Sequence, residues 1–169
     1  SAIVGNSIPI GVGLGMSAKI KKTNQISFIF FGDGAIEEGV FYESINFAVV
    51  KKLPVIFICE NNLYSVYSPL SVRQPKNRNI SKMVKAIGPR VFRCDGNDVL
   101  KVYKILKKAT NETRKGNGPC FLEFFTYRWL EHCGPNYDND IGYRTEDEFL
   151  SWKSKDPVAN YEKKLLSTN

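Results

Sequence analysis

Two apolar runs of the sequence end in short polar segments whose side chains are suited to bind a metal ion and a phosphate. The first run ends in Gly32-Asp33-Gly34, and the second ends in Glu60-Asn61-Asn62. A carboxylate and an amide oxygen are hard ligands of the kind that Mg²⁺ takes alongside phosphate and water. The glycines beside Asp33 permit close approach to the backbone, and the predicted helix start beyond them offers free N–H groups to an anion. The two segments together therefore predict a magnesium–diphosphate site.

Both polar segments follow stretches that have the composition of buried strands. Residues 26–31 and 55–59 are continuous apolar runs rich in β-branched and aromatic residues, which is typical of strands covered on both faces. Residues 36–51 between them are predicted to form a helix with acidic residues in its first turn. A single crossover helix makes the two strands parallel neighbours, so their polar ends are expected at one edge of the sheet, where such folds bind ligands. The prediction depends on finding both polar segments at one edge, because Gly-Asp-Gly alone also occurs in ordinary turns.

The rest of the chain continues the alternation of strands and helices. Further strands are predicted at 91–94 and 120–126, and further helices at 97–115, after a Thr145–Glu148 capping box, and from Asp156-Pro157. The last helix is expected to turn an apolar face inward. The alternation predicts an α/β fold with a mainly parallel sheet and flanking helices, in a single domain over residues 1–169. Residues 62–80 and 130–144 are predicted to be long loops, which are often functional.

The cluster Gly11-Val12-Gly13-Leu14-Gly15 has a superficial likeness to the glycine-rich turn of a dinucleotide site, with Asp33 about 20 residues later. The spacing does not match, because the third glycine of that motif would stand at the position of Met16. Gly5 and Pro9 also make the preceding stretch a poor central strand. The better interpretation is a helix whose small residues pack closely on the sheet, with a nicotinamide site as the alternative.

His132, the single histidine, lies in a polar loop after the last predicted strand. A lone histidine more often has a structural role, but this strand is expected to end at the same sheet edge as Asp33 and Asn62. Arg128 is expected to contact a phosphate there, and His132 to donate to a phosphate or to a reacting carbonyl oxygen. Cys133 is either incidental or a reactive thiol, and its acidic surroundings favour the former.

Charged residues are unevenly distributed. The net charge is +7, yet residues 73–115 contain 13 Lys/Arg and 3 Asp/Glu, whereas residues 131–148 contain one arginine and six acids. The basic segment is interpreted either as a solvated helix surface or as a docking surface for an acidic partner. Nucleic acid is not expected, because the segment offers only Phe92 and Tyr103 for stacking on bases.

Composition limits the class of protein. The 169 residues, 43% of them hydrophobic, are sufficient for one compact core. No apolar run reaches the roughly 20 residues that span a bilayer, so no membrane partner is expected. The four cysteines form no C-x-x-C pair and a single histidine excludes the usual zinc sets, which favours a reducing, cytoplasmic location. Because the chain begins with Ser1, we expect a fragment of a longer protein.

The segment GDGAIEEGVFYESINFAVVKKLPVIFICENNLYSV resembles the cofactor motif of the α subunit of the thiamine diphosphate-dependent 2-oxo acid dehydrogenases, which include pyruvate, acetoin and branched-chain types. The similarity extends upstream through SAIVGNSIPIGVGLGMSAKI and downstream through PCFLEFFTYRW and GYRTEDEF. It covers nearly the whole chain, and it implies a thiamine diphosphate-binding fold.

The resemblance implies a role for each matching position. Mg²⁺ would be held by Asp33, the Asn62 side chain and the Tyr64 carbonyl. The diphosphate of thiamine diphosphate would meet the backbone N–H groups of Gly34 and Ala35.

The resemblance also implies which residues contact the organic part of the cofactor. Ala2 and Val4 would contact the aminopyrimidine through their backbones, and Val66 lies near the position where the family holds the cofactor in its bent form. His132 matches the histidine of the cofactor loop, and Arg128 matches the arginine just before it.

The loop also departs from the family pattern. Some relatives have H-G-H where this chain has Leu130-Glu131-His132, and Cys133 stands where pyruvate and branched-chain relatives have a regulatory serine. Control by phosphorylation at that point is therefore not expected. The segment GPNYDNDIGYR is unlike the mitochondrial loop, which leaves the substrate open. The resemblance also implies that the family's N-terminal segment is missing from this sequence, and that the glutamate protonating the cofactor's N1′ would belong to the β subunit.

The resemblance implies the α subunit of the decarboxylating component of a 2-oxo acid dehydrogenase complex, in an α2β2 heterotetramer with a β subunit. The implied reaction is that of a pyruvate dehydrogenase (acetyl-transferring)-like oxidoreductase. It transfers an acyl group from a pyruvate-like 2-oxo acid, or from acetoin, to the lipoyl group of an acyltransferase, with His132 assisting. A lipoyl domain would then be the acidic partner of the basic segment. Two alternatives stay open: a transketolase-like thiamine diphosphate enzyme of sugar or polysaccharide metabolism, and a non-catalytic binding domain.

Overall fold

The computed structural model describes residues 2–167. The helices are Ser7–Ile20 (α1), Gly39–Val50 (α2), Leu70–Arg73 (α3), Ile80–Ile87 (α4), Val99–Arg114 (α5), Glu146–Lys153 (α6) and Pro157–Leu166 (α7). The strands are Ser27–Gly32 (β1), Val55–Asn61 (β2), Tyr64–Ser65 (β3), Ser68–Pro69 (β4), Arg90–Asp95 (β5) and Cys120–Phe125 (β6), with 3₁₀ turns at Asp33–Glu37 and Asn139–Ile141. None of the helices within residues 2–167 is long and apolar enough to cross a membrane.

Four strands form a parallel sheet in the order β1-β2-β6-β5. β1 pairs with β2 so that Gly32 lies opposite Glu60, and β6 pairs with both β2 and β5 so that Phe125 lies opposite Asn61 and Asp95. The carboxyl ends of all four strands therefore meet at one edge. The predicted α/β fold with a parallel sheet and flanking helices is confirmed.

Helices cover both faces of this sheet. α1, α2 and α4 pack on one face, in a cluster that includes Phe57, and α5 packs on the other face, in a cluster that includes Ile58. Because side chains alternate along a strand, Phe28 and Phe30 of β1 lie on the same face as α5. They are 43% and 57% exposed, so this end of the sheet is left open on one face.

The glycines of α1 allow the helix to approach the sheet closely. A Cβ atom on Gly11 would lie 2.4 Å from Ile29 Cγ1, and one on Gly15 would lie 2.4 Å from Val55 Cγ2. Gly13 faces open space instead. The prediction of a closely packed helix is confirmed, and the glycine-rich turn of a dinucleotide site is not formed, because all three glycines are inside α1.

The start of α2 differs from its prediction. Residues 33–37 form a 3₁₀ turn and α2 begins at Gly39, whereas the sequence predicted one continuous helix over 36–51. Glu37 is therefore outside the first turn of α2. Its carboxylate accepts hydrogen bonds from Arg73 at 2.6 Å and from Gln74 at 3.0 Å. Glu37 therefore binds residues that are distant in the sequence, whereas the local pattern predicted that it would interact with the helix dipole.

The predictions for α6 and α7 hold only in part. The Thr145 side chain accepts from the Glu148 N–H at 3.1 Å, as in a capping box, but the Glu148 carboxylate accepts from the Tyr64 hydroxyl instead. α7 begins at the predicted place, yet Val158 is 76% exposed and Leu165 is 52% exposed. The expectation of an inward apolar face on α7 is therefore wrong.

The basic residues of segment 73–115 do not form one surface. Arg73 is at the carboxyl edge of the sheet, with a side chain only 10% exposed. Lys82 and Lys85 are exposed on α4, and Lys104 and Lys108 are exposed on α5, which lies on the opposite face of the sheet. The hypothesis of a docking surface stays a prediction for the lysines of α5 alone.

The four cysteines are all free thiols. Cys59 and Cys120 are buried in strands, Cys94 is partly buried, and Cys133 is exposed in the loop after β6. The prediction that cysteines in the strand-like runs act as small buried hydrophobic residues is confirmed for Cys59 and Cys120.

Candidate functional site

A cavity of about 350 Å³ opens at the carboxyl edge of the sheet, and four separate parts of the chain line it. These parts are the first described residues, the 3₁₀ turn after β1, the segment after β2 and the loop after β6. Of the ten residues predicted to bind a cofactor, nine line the cavity: Ala2, Val4, Gly34, Ala35, Asn62, Tyr64, Val66, Arg128 and His132. Asp33, the tenth, is fully buried between Gly32 and Gly34, which both line the cavity.

The end of β2 is fixed by the first asparagine of its Asn-Asn pair. The Asn61 side chain donates to Glu123 at 2.9 Å and accepts from the Leu63 N–H at 3.2 Å. Its backbone carbonyl accepts from the Thr126 N–H at 3.0 Å. Asn61 thus ties β2 to β6, while Asn62 faces the cavity, with its side-chain oxygen accepting from the Tyr64 N–H at 3.0 Å.

Asp33 is a fully buried carboxylate with one cationic partner. Its relative exposure is 0%, and its Oδ2 atom forms an ion pair with Arg73. Its Oδ1 atom is buried without a hydrogen-bond partner. Burial raises the pKa of Asp33, while the hydrogen bond and charge of Arg73 and the nearby Asn62 backbone lower it less strongly. One carboxylate oxygen is therefore free to accept a cation.

Arg73 contacts the proposed site and was not predicted from the sequence as a site residue. Its guanidinium contacts Asp33, donates to Glu37 at 2.6 Å and donates to the Ser68 carbonyl at 3.0 Å. It is 40 residues from Asp33 along the chain. It was included only in the basic segment, and no local pattern marks it as the partner of a buried carboxylate.

We call residues 62–79, between β2 and α4, the strap. Its first part is a small hairpin of β3 and β4, in which the β-branched residue Val66 has a φ of 54°. That conformation is unfavourable for a β-branched residue and needs support from the surroundings. The Val66 carbonyl accepts from Arg128 at 3.0 Å, so the hairpin is tied to the loop after β6.

A second tie joins the strap to α6. The Tyr64 hydroxyl lies 2.9 and 2.8 Å from the two carboxylate oxygens of Glu148. Burial and the hydrogen bond to Glu148 both raise the pKa of Tyr64, so its hydroxyl stays a donor at neutral pH. The Tyr64 ring also meets Tyr143 edge-on, with ring centroids 5.3 Å apart.

A buried ion pair holds the loop over residues 130–144 in place. Arg144 and Asp138, each with a side chain 1% exposed, form this pair. Asp138 also accepts from the Tyr143 hydroxyl at 2.7 Å, and that hydroxyl in turn accepts from Arg128 at 3.0 Å. His132 is exposed at the cavity rim, with its Nδ1 atom 3.4 Å from Arg128 Nη1. The loop thus holds Arg128 firmly and leaves His132 accessible.

The cavity combines groups that suit an anionic ligand with a metal ion. Arg128 lines it, and a side chain on Gly34 would collide with Ser65 Oγ at 2.7 Å, so the backbone passes close to the strap there. Ser65 also lines the cavity and was not predicted. Within residues 2–167 no group of three or more His, Cys, Asp or Glu side chains is arranged to hold a metal. A metal here would take one carboxylate, one amide and other oxygen donors.

The structure is an α/β fold with a cavity at the carboxyl edge of a parallel sheet. The family model described as "Dehydrogenase E1 component" matches residues 1–169, so the chain belongs to that family.

Curated relatives agree with this assignment. The chain is 36% identical to 2-oxoisovalerate dehydrogenase subunit alpha of Bacillus subtilis, over 99% of this chain and 50% of that protein. It is 37% identical to pyruvate dehydrogenase E1 component subunit alpha of Acholeplasma laidlawii, over 98% of this chain and 47% of that protein. The protein of the same name from Rickettsia bellii is 35% identical over 99% of this chain and 50% of its own length. The chain spans about half the length of these relatives.

Proposed function

We propose that this chain is the cofactor-binding part of the α subunit of the decarboxylating component of a 2-oxo acid dehydrogenase complex. In this proposal it binds thiamine diphosphate and Mg²⁺ at the carboxyl edge of the sheet. The observation that carries the proposal is the cavity, because it gathers nine of the ten residues that the family resemblance assigns to the cofactor. These residues come from four parts of the chain, so their convergence does not follow from the order of residues along the sequence.

The residues at this edge fit a metal ion bound together with a diphosphate. Asp33 has a buried oxygen with no partner, and the Asn62 amide follows the neighbouring strand. In the proposal, Asp33, the Asn62 side chain and the Tyr64 carbonyl hold Mg²⁺, and phosphate and water supply its other ligands. Gly34 and Ala35 offer backbone N–H groups to the diphosphate, and Arg128 adds a positive charge at the same cavity.

The remaining cavity residues are proposed to position the organic part of the cofactor. Ala2 and Val4 would meet the aminopyrimidine through their backbones, and Val66, which the strap holds at the cavity, would support the bent form. When bound, thiamine diphosphate supplies the electron sink that decarboxylation of a 2-oxo acid requires. His132, exposed at the rim beside Arg128, is proposed to donate a proton where the acyl group is passed to a lipoyl group.

The substrate class and the partners belong to the proposal. The relatives named above are dehydrogenases of 2-oxoisovalerate and of pyruvate, which supports a 2-oxo acid as substrate. The proposed partners are a β subunit in an α2β2 heterotetramer and a lipoyl-bearing acyltransferase, in the cytoplasm.

Removing a metal ligand tests the proposal. We expect Asp33→Asn and Asn62→Ala to lower the affinity of the full-length protein, with its β subunit, for Mg²⁺–thiamine diphosphate by at least about 100-fold, since each removes a ligand of the metal. Isothermal titration calorimetry measures this affinity. Asn77→Ala, at an exposed position of the same strap, is the matched control and is expected to bind normally. Undiminished affinity in both Asp33→Asn and Asn62→Ala would contradict the proposal.

A further inference from the structure

Arg73 forms an ion pair with the carboxylate of the proposed metal site. Among residues 2–167 it is the only cationic side chain that forms an ion pair with Asp33. The same guanidinium also donates to Glu37, whose side chain is 28% exposed, and its Nε atom donates to the Ser68 carbonyl. Gln74, the next residue, donates to Glu37 at 3.0 Å. Arg73 is therefore shared between a buried carboxylate and one that reaches solvent.

A buried carboxylate needs a cation beside it to stay charged in the folded chain. Asp33 has no exposed surface, and Arg73 supplies that cation. An arginine stays protonated at any pH at which proteins are folded, so this positive charge cannot be switched off by deprotonation. A divalent ion on Asp33 would lie next to the guanidinium, and the two like charges would repel each other at short range.

The guanidinium of Arg73 has hydrogen-bond partners other than Asp33. Its contacts with Glu37 and Ser68 are both independent of Asp33, so the guanidinium can release the buried carboxylate and remain bonded at the surface. It belongs to α3, a single helical turn within the strap. Arg73 does not line the cavity, but it lies against the 3₁₀ turn, with Nη1 3.7 Å from the position of a Cβ on Gly34. Arg128, which does line the cavity, is the better partner for a phosphate.

We propose that Arg73 is the resident counter-cation of Asp33 in the metal-free chain, and that a divalent metal binds by displacing it towards Glu37. This inference rests on the proposed function, because it takes Asp33 as a metal ligand. Arg73 then competes with the metal for Asp33, and it raises the metal concentration at which the site is filled. It also keeps the edge of the sheet folded when no metal is bound.

The test uses the full-length protein with its β subunit, freed of metal and cofactor, and Mn²⁺ as the probe. Arg73→Gln removes the competing charge, and Arg78→Gln removes the same charge from an exposed position of the same strap. Free Mn²⁺, measured by electron paramagnetic resonance with and without thiamine diphosphate, gives the affinity. We expect Arg73→Gln to bind Mn²⁺ about tenfold more tightly than the wild type, and Arg78→Gln to bind it like the wild type.

Thermal unfolding provides a second measurement. Without metal, Arg73→Gln should melt at a lower temperature than Arg78→Gln, because Asp33 is left buried without a counter-cation. Saturating Mn²⁺ and thiamine diphosphate should remove most of that difference. A Mn²⁺ affinity in Arg73→Gln that is equal to or weaker than that of the wild type would overturn the inference, since Arg73 would then support the metal site.

Failure of this inference is distinguishable from failure of the proposed function. If the wild type takes up Mg²⁺–thiamine diphosphate by calorimetry while Arg73→Gln gains no affinity for Mn²⁺, only the role of Arg73 is wrong. If the wild type takes up no cofactor, the proposed function fails. In that case, Mn²⁺ binding by Arg73→Gln that the wild type lacks would still support displacement of Arg73, and its absence would overturn it.

Discussion

At the scale of single residues, the cation beside Asp33 determines how costly it is to bury this carboxylate in the folded chain. The carboxylate is fully buried, one oxygen is paired with Arg73, and the other has no partner. The flanking glycines and the strand before Asp33 were sufficient to predict that it lies at the site. Arg73 could not be predicted, because it belongs to a separate helical turn 40 residues along the chain, and no periodicity determines which side chains of the two turns meet.

His132 is expected to matter for group transfer more than for cofactor binding. It is exposed at the cavity rim and contacts Arg128 at 3.4 Å, whereas Asp33 is buried and Asn62 and Tyr64 are partly buried. In the full-length protein with its partners, His132→Ala should retain thiamine diphosphate affinity within a few-fold and lose about 100-fold or more of the transfer to lipoamide, as expected when a proton donor is removed. Cofactor titration and a lipoamide assay measure the two effects separately.

Cys133→Ala is the neighbouring control for this prediction. Cys133 is exposed in the same loop and was interpreted as incidental, so its replacement should leave both measurements unchanged. Normal lipoamide turnover in His132→Ala would show that the loop histidine has no part in the transfer. An equal loss in Cys133→Ala would point to a general disturbance of the loop.

At the scale of elements, the prediction from sequence was most reliable for the strands. The apolar runs at 26–31 and 55–59 correspond to β1 and β2. Of the two, β2 is buried on both faces as predicted, whereas that prediction is wrong for β1, because Phe28 and Phe30 are exposed on one face. The helix starts were less well predicted. α2 begins later than expected because residues 33–37 form a 3₁₀ turn, and the acid of the capping box of α6 binds Tyr64 instead. In both places a distant side chain competes with a local pattern.

The close contact of α1 with the sheet gives a test of packing. Gly15→Ala would bring a Cβ to within 2.4 Å of Val55 Cγ2, and Gly11→Ala would do the same at Ile29. We expect each to lower the free energy of unfolding by about 1–3 kcal/mol, because a well-packed interface accommodates an extra methyl group only by shifting. Urea denaturation of the full-length protein measures this change.

Gly13→Ala serves as the control on the same helix. A Cβ on Gly13 meets nothing within 4 Å, so this change should be neutral or stabilise the helix by up to about 1 kcal/mol. If Gly15→Ala proves as stable as Gly13→Ala, α1 does not lie as close to the sheet as described.

At the scale of the whole molecule, the cavity is a product of topology. Its lining residues come from position 2 to position 132, and they meet because the sheet order brings β1, β2 and β6 side by side. The sequence was sufficient to predict that Asp33, Asn62 and His132 share one edge, because parallel strands joined by crossover helices have their carboxyl ends on the same side of the sheet. The hydrogen bonds that fix the strap could not be predicted, because they depend on side-chain directions that the topology does not specify.

The uncovered end of the sheet has a consequence for handling this chain. β1 stands last in the sheet order, so within residues 2–167 one side of its backbone has no strand partner, and Phe28 and Phe30 are exposed beside it. The run ISFIFF carries no charge and no proline, which is the composition of segments that stack between molecules. We therefore expect the chain produced on its own to aggregate through β1.

Phe30→Lys should reduce this aggregation, because a charge on an edge strand opposes pairing with another copy. Light scattering as a function of concentration measures the effect. Val50→Lys, at a position 67% exposed at the end of α2, adds the same charge away from β1. An equal improvement in solubility from Val50→Lys would mean that net charge, and not the open edge, limits the solubility of the chain.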